Sequence, residues 1–241
     1  MATPSKPIRA CTTKQMNFEP SQMVTIRVGD SPEYKDFIAH ESFLTSRSEF
    51  FRRAMNGSWT EAESRVVKLP EDEPAIFAIY LNLVYTGQLV TMRKNKEELA
   101  SSERQVFIRQ LIPEYRDIFR MYVLAEKLQD KGAKNGALAA AVSVSEVMDS
   151  ANNSTVPAAE IANLVYKGTP EGSPGRRLVI DMYGMLPFRS LFSDVEGIPF
   201  HRDALNDLVE MLNKSYQKKD GYGGHWFAKD KNQKLYLEEE E

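Results

Sequence analysis

Residues 36–63, DFIAHESFLTSRSEFFRRAMNGSWTEAE, decide how this chain is read. They hold a histidine, several hydroxyls, a run of arginines and a cluster of acids, all of them groups that an active site could use. Their periodicity argues for a scaffold instead. KDFIAH (35–40) has the length and composition of a strand, and from residue 41 the period changes. Phe43, Leu44, Phe50, Phe51, Ala54 and Met55 fall at helical spacing, which predicts two short helices separated near Ser46–Ser48. Asn56-Gly57 is a stop signal after the second.

Working outward, MVTIRVGD (23–30) alternates Met23, Thr25 and Arg27 with Val24, Ile26 and Val28, the pattern of a half-buried strand closing in a Gly-Asp turn. The SPEY segment then supplies a hairpin to 35–40. RVVKLP (65–70) reads as a third strand ended by Pro70. EPAIFAIYLNLVYTG follows as a helix with a broad apolar face and Gly87 as its C-cap. The expected order to residue 87 is therefore β-β-α-α-β-α.

Residues 91–106 are charged and hydroxyl-rich and read as an exposed insertion or surface helix. A second helical block is expected to open near Pro113, a residue suited to a first turn, and to run to about Leu128. Lys131-Gly132 reads as a break, with an Ala/Val-rich helix resuming over 137–147. Further helices are predicted over 157–167, 175–186 and 201–215, with GTPEGSPG (168–175) as a rigid connector. The domain plan is a flexible leader (1–22), a principal domain (23–147) containing the insertion, a helical extension (148–215) and a weakly ordered charged tail (216–241).

Composition narrows the function classes. The chain has 241 residues, a formal net charge of −3, 42% hydrophobic and 27% charged residues, which is ordinary globular usage. A chain of this length buries roughly 70% of its unfolded surface without staples. It has no basic field of the kind direct nucleic-acid binding relies on, and no apolar run approaches the roughly 20 residues of a membrane span. One cysteine, Cys11, cannot form an internal disulfide. Together with the absence of a secretory signal core, this sets a cytoplasmic or nuclear location as the expectation.

Candidate chemistry is sparse. His40 could serve Ser42, Ser46 or Ser48 as a base, but none stands in a G-x-S-x-G elbow, and the reading adopted is a histidine hydrogen-bonded at a strand–helix junction. His40, His201, His225 and Cys11 lack paired metal-ligand spacing, so no metal and no cofactor is expected. GYGGH (221–225) lacks the apolar strand and Lys-Ser/Thr of a phosphate loop. Ser173-Pro174 matches a proline-directed phosphorylation site, a motif common by chance. Trp59 stands where no periodicity enforces burial, either folded back on the core or anchoring an interface, with Thr60, Glu61 and Glu63 beside it.

The stretch DFIAHESFLTSRSEFF resembles the signature of BTB/POZ domains, a strand ending in F-x-x-H followed by an apolar-Leu helix, a Ser and S-x-F-F. MVTIRVGD, RVVKLPEDEPAIFAIYLNLVYTG and YVLAEKLQDKGAKNGAL are similar to the family's further elements in order as well as content, over about 30–147. NLVYKGTPEGSPGRRLVIDMYG and FHRDALNDLVEML resemble helical extensions found after such domains in filamentous fungi, to about 213. The resemblance implies an α+β fold, a small mostly antiparallel sheet flanked by a helical cluster with an all-helical extension. It also implies a non-catalytic protein–protein interaction module.

Many members homodimerise, and a subset bind the N-terminal helices of a cullin as substrate adaptors of ubiquitin ligases; others serve as oligomerising scaffolds or transcription-associated proteins without a ligase role. Cullin-binding members often carry an apolar-x-Glu motif in the loop after the second short helix, where Trp59-Thr60-Glu61 stands. By resemblance Trp59 would fill a cullin pocket and Glu61 would pair there. Residues 1–22 carry prolines and lack the leucine pattern of the family's N-terminal dimerisation helix. Within the signature, Phe37, Phe43, Leu44, Phe50 and Phe51 are expected in the core, Asp36 and His40 at the strand–helix junction, and Arg47, Arg52 and Arg53 on solvent or a partner surface.

Overall fold

The computed structural model describes residues 22–57, 60–184, 200–217 and 236–238. Strands β1 (Met23–Val28) and β2 (Lys35–His40) form an antiparallel hairpin, and β3 (Val66–Leu69) lies parallel to β1 on its other side. β1 alternates as its sequence requires, with Val24, Ile26 and Val28 buried and Met23, Thr25 and Arg27 half-buried. β2 is an edge strand with a more open face, on which Ile38 is 68% exposed.

Helices α1 (Glu41–Thr45) and α2 (Glu49–Ala54) follow β2 directly. An additional single-turn helix, α3 (Thr60–Ser64), stands between α2 and β3, so the order is β-β-α-α-α-β-α. The sequence reads as a loop there; five residues are too few for apolar periodicity to reveal a helix. Helix α4 (Pro74–Thr86) starts with proline at its first position and ends at Gly87, whose left-handed φ of 70° lets its N–H reach the Leu83 carbonyl at 2.8 Å.

Two expected boundaries differ in the structure. Within the charged insertion, α5 (Lys96–Ala100) is capped by Asn95 and buries Leu99, and α6 then begins at Arg104 and runs to Lys127 with Pro113 in its interior. Proline there removes an N–H and disfavours the helix by about 3 kcal/mol. Phe107 and Leu111 ahead of it and Tyr115, Ile118 and Tyr122 behind it form one buried face, and that packing overrides the local preference. Helix α7 (Lys131–Ser145) begins at the Lys131-Gly132 pair read as a break. The break lies just before it, where Gln129 takes a left-handed φ of 53° and Asp130 caps α7 by accepting the Ala133 N–H at 2.8 Å.

Among the described residues, helices α8 (Ala159–Gly168), α9 (Pro174–Tyr183) and α10 (Arg202–Gln217) follow, with the Gly/Pro connector between α8 and α9 turning at Gly172. Two apolar cores result. One joins the sheet to α1, α2, α4 and the last turns of α6, through residues such as Ile26, Leu44, Phe51, Phe77 and Leu124. The other joins the rest of α6 and most of α7 to α8, α9 and α10. Helix α6 is the beam common to both. Within the stretch expected as a charged tail, Tyr236 is buried in the second core.

Candidate partner-binding surface

The signature residues are tied to the rest of the domain by hydrogen bonds that span large sequence distances. Ser48 is fully buried, caps α2 by accepting the Phe51 N–H at 3.2 Å, and donates its hydroxyl to the Leu128 carbonyl at 2.5 Å. Its neighbour Arg47 donates to the carboxylate of Asp130 at 3.1 Å, and the hydroxyl of Tyr80 donates to the same oxygen at 3.1 Å. Asp130 thus has one oxygen on the α7 cap and the other on α4 and the α1–α2 junction. Burial and the adjacent Asp130 carboxylate push the Tyr80 hydroxyl far above its ordinary pKa, so it stays a donor.

His40 sits at the end of β2, where its backbone N–H and its Nδ1 both meet the Tyr85 hydroxyl, at 2.9 and 3.0 Å. The Phe43 ring stacks on Tyr85 with centroids 4.8 Å apart, and His40 leans on both rings. The serine hydroxyls at 46 and 48 donate to backbone carbonyls. These contacts orient the strand–helix junction and engage the Ser46 and Ser48 hydroxyls with backbone.

Three signature expectations need correction. Asp36 lies away from the junction and forms a bidentate pair with Arg27 across the hairpin, both bonds 2.8 Å, because the antiparallel register sets these residues opposite each other. That pairing holds its carboxyl below the usual carboxylate range. Phe37 and Phe50 are half-buried, whereas Phe43, Leu44 and Phe51 are buried. Phe37 meets Phe77 edge-on at 5.1 Å, and Phe50 meets Phe51 edge-on at 5.4 Å. Arg52 and Arg53 face solvent and pair with Glu49 on their own helix, but Arg47 is held by Asp130.

Of the expected partner-binding residues, Trp59 lies outside the described residues. Thr60 opens α3, Glu61 is half-buried and Glu63 is exposed. Directly after α3, Arg65 adopts a left-handed φ of 57°. Its guanidinium donates twice to the Met23 carbonyl, at 3.1 and 2.8 Å, and once to Glu41 at 2.6 Å. Its own carbonyl accepts the Thr25 N–H at 2.9 Å. This anchor, which fixes how α3 leaves the sheet, has no local sequence signal because its partners lie 24 and 42 residues away.

Helix α2 also contributes to a cleft of about 780 Å³ lined by Arg47, Glu49, Arg52, Glu126, Lys131 and Lys134 among others. Mixed charge and an open mouth suit a polypeptide segment better than a small apolar ligand. Among the described residues no group of three or more His, Cys, Asp or Glu could hold a metal ion, and no helix is long and apolar enough to cross a membrane. The phosphorylation reading of Ser173 fails on access. The residue is 4% exposed, and its hydroxyl shares a 2.7 Å hydrogen bond with Tyr122. His225 and GYGGH lie outside the described residues, as does Cys11.

A family model described as "BTB/POZ domain" matches residues 16–120. The chain carries a BTB/POZ domain. The match ends inside α6, although the last turns of that helix complete the sheet-side core. The chain is also similar to Kelch-like protein 30 of Mus musculus, 34% identical over 79 residues. That alignment covers 33% of this chain and 13% of the mouse protein. A BTB domain indicates a protein-interaction module, and here it has an α+β core with further helices beyond it.

Proposed function

We propose that this chain is an adaptor whose BTB domain docks the N-terminal helices of a cullin through Trp59–Glu63, leaving the helices after residue 148 as an extension available to a second protein. The observation that carries the reading is the solvent-facing acid of α3. Glu63 is exposed and Glu61 half-exposed on a turn whose exit is tied to the sheet by Arg65, which supports a role for these acids in meeting a partner. The apolar-x-Glu sequence at 59–61 supports it, as does the similarity to a Kelch-like protein. Affinity capture of the intact chain beside Trp59→Ala, with partners identified by mass spectrometry, tests it. A cullin recovered with the wild type and lost with the variant is the expected result.

A second reading, an oligomerising scaffold with no ligase role, is favoured by Ile38, an exposed apolar residue on the edge strand β2. Light scattering that shows a strict monomer at micromolar concentration removes it.

A further inference from the structure

Residues 236–238 lie against α7 and α9 through contacts of a kind that recur in peptide recognition. The side-chain amide of Asn135 donates to the Glu238 carbonyl at 2.8 Å and accepts the Glu238 N–H at 2.8 Å. One side chain thereby satisfies both main-chain polar groups of one residue, as a neighbouring strand would, whatever that residue's side chain is. Selectivity comes from the flanks. Tyr236 is 2% exposed and its hydroxyl donates to Asp181 at 2.7 Å, while the Glu238 carboxylate accepts from the Lys134 ammonium at 2.6 Å. Leu237 between them is 41% exposed and contributes little to selection.

Part of the receiving surface keeps partners outside the segment. Lys134 also donates to Glu126 at 3.3 Å. Helix α7 is capped independently by Asp130.

We propose that Lys134, Asn135 and Asp181 form a linear-peptide site that reads Tyr-x-Glu, and that the chain's own Tyr236–Glu238 occupies it in cis. A partner segment with a tyrosine two residues ahead of an acid fits the same site once the cis segment is displaced. Lys134 also lines the cleft beside α2, so occupancy changes the charge presented there. The inference stands on these contacts and does not require cullin binding.

The test is fluorescence anisotropy with a labelled peptide of residues 232–241, titrated with the full chain and with the full-length Tyr236→Ala/Glu238→Ala variant. A tethered ligand competes at high effective concentration, so the variant is expected to bind the peptide about tenfold or more tighter than the wild type. Adding Asn135→Ala to the variant, or replacing the peptide's tyrosine with alanine, is expected to abolish that binding. A Glu238→Gln chain, which keeps Tyr236, should show an intermediate gain. Equal affinity for wild type and variant overturns the proposal, as does loss of helix content in the variant, which would make the segment part of the fold. Failure of the Glu238→Gln chain to gain affinity overturns it as well.

Discussion

The hydroxyl of Ser48 binds the carbonyl of Leu128 across 80 residues of sequence while its oxygen also caps α2. One buried atom therefore holds the start of the second signature helix and the end of α6 together. Ser48→Ala removes a cap and a buried hydrogen bond, and should cost roughly 1–3 kcal/mol of stability. Urea unfolding followed by circular dichroism checks this, with a lower midpoint and an unchanged slope expected.

Asp130 joins more elements than any single serine can. Asp130→Ala deletes the α7 cap, leaves the buried Tyr80 hydroxyl without its acceptor and frees Arg47. The expected loss is roughly 2–4 kcal/mol. Tyr80→Phe should cost about 1 kcal/mol, since it removes one hydrogen bond and leaves the carboxylate its other partners. Thermal melts of the two variants side by side test the ranking.

Glu114 is buried on α6 beside Thr91, and desolvation raises its carboxyl pKa above the ordinary glutamate value. Because the folded value is raised, the favourable contribution is complete below the unfolded value and is lost as pH rises through the folded one. Glu114→Gln should therefore stabilise the protein at neutral pH, and the advantage should fade on acidification through the glutamate range. Asp149 behaves oppositely. The N–H groups of Asn153 and Ala151, with Arg104, lower its pKa, so its contribution is lost as pH falls. Melting temperature against pH for wild type, Glu114→Gln and Asp149→Asn separates the two signs.

Gly175 lies where a Cβ would come within 2.3 Å of the buried ring of Tyr122. That ring cannot simply step aside, because its hydroxyl accepts the Gly175 N–H at 3.1 Å and is bound to Ser173. Gly175→Ala should destabilise the α6–α9 contact by roughly 1–3 kcal/mol. Proteolysis within α9 should accelerate in the variant if this packing is what holds that helix.

The parts legible in the sequence are those governed by short-range pattern. The alternation of Val24, Ile26 and Val28, the spacing of Phe43, Leu44 and Phe51, and Gly87 at a helix end each carry their own signal. Local pattern misleads where tertiary packing outweighs local preference. Pro113 lies inside α6 because the buried face from Phe107 to Tyr122 spans it, and Lys131-Gly132 opens a helix because Asp130 caps it. Asp36 and Arg65 were illegible for a different reason. Their partners are set by strand register and by contacts 24 and 42 residues away, which no local window contains. The candidate site was legible only as composition, since Glu61 and Glu63 reveal their exposure and the anchoring behind them in three dimensions.

Calorimetric titration of the intact chain with a cullin N-terminal domain tests the central claim most directly, with Trp59→Ala and Arg65→Ala titrated in parallel. Wild type should bind, and Trp59→Ala should lose about 2 kcal/mol or more, roughly thirtyfold in Kd, as expected when an interface tryptophan is truncated. Arg65→Ala should weaken binding less, since it loosens the base of α3 without removing a contact. No heat from the wild type, or equal affinity for wild type and Trp59→Ala, would contradict the account.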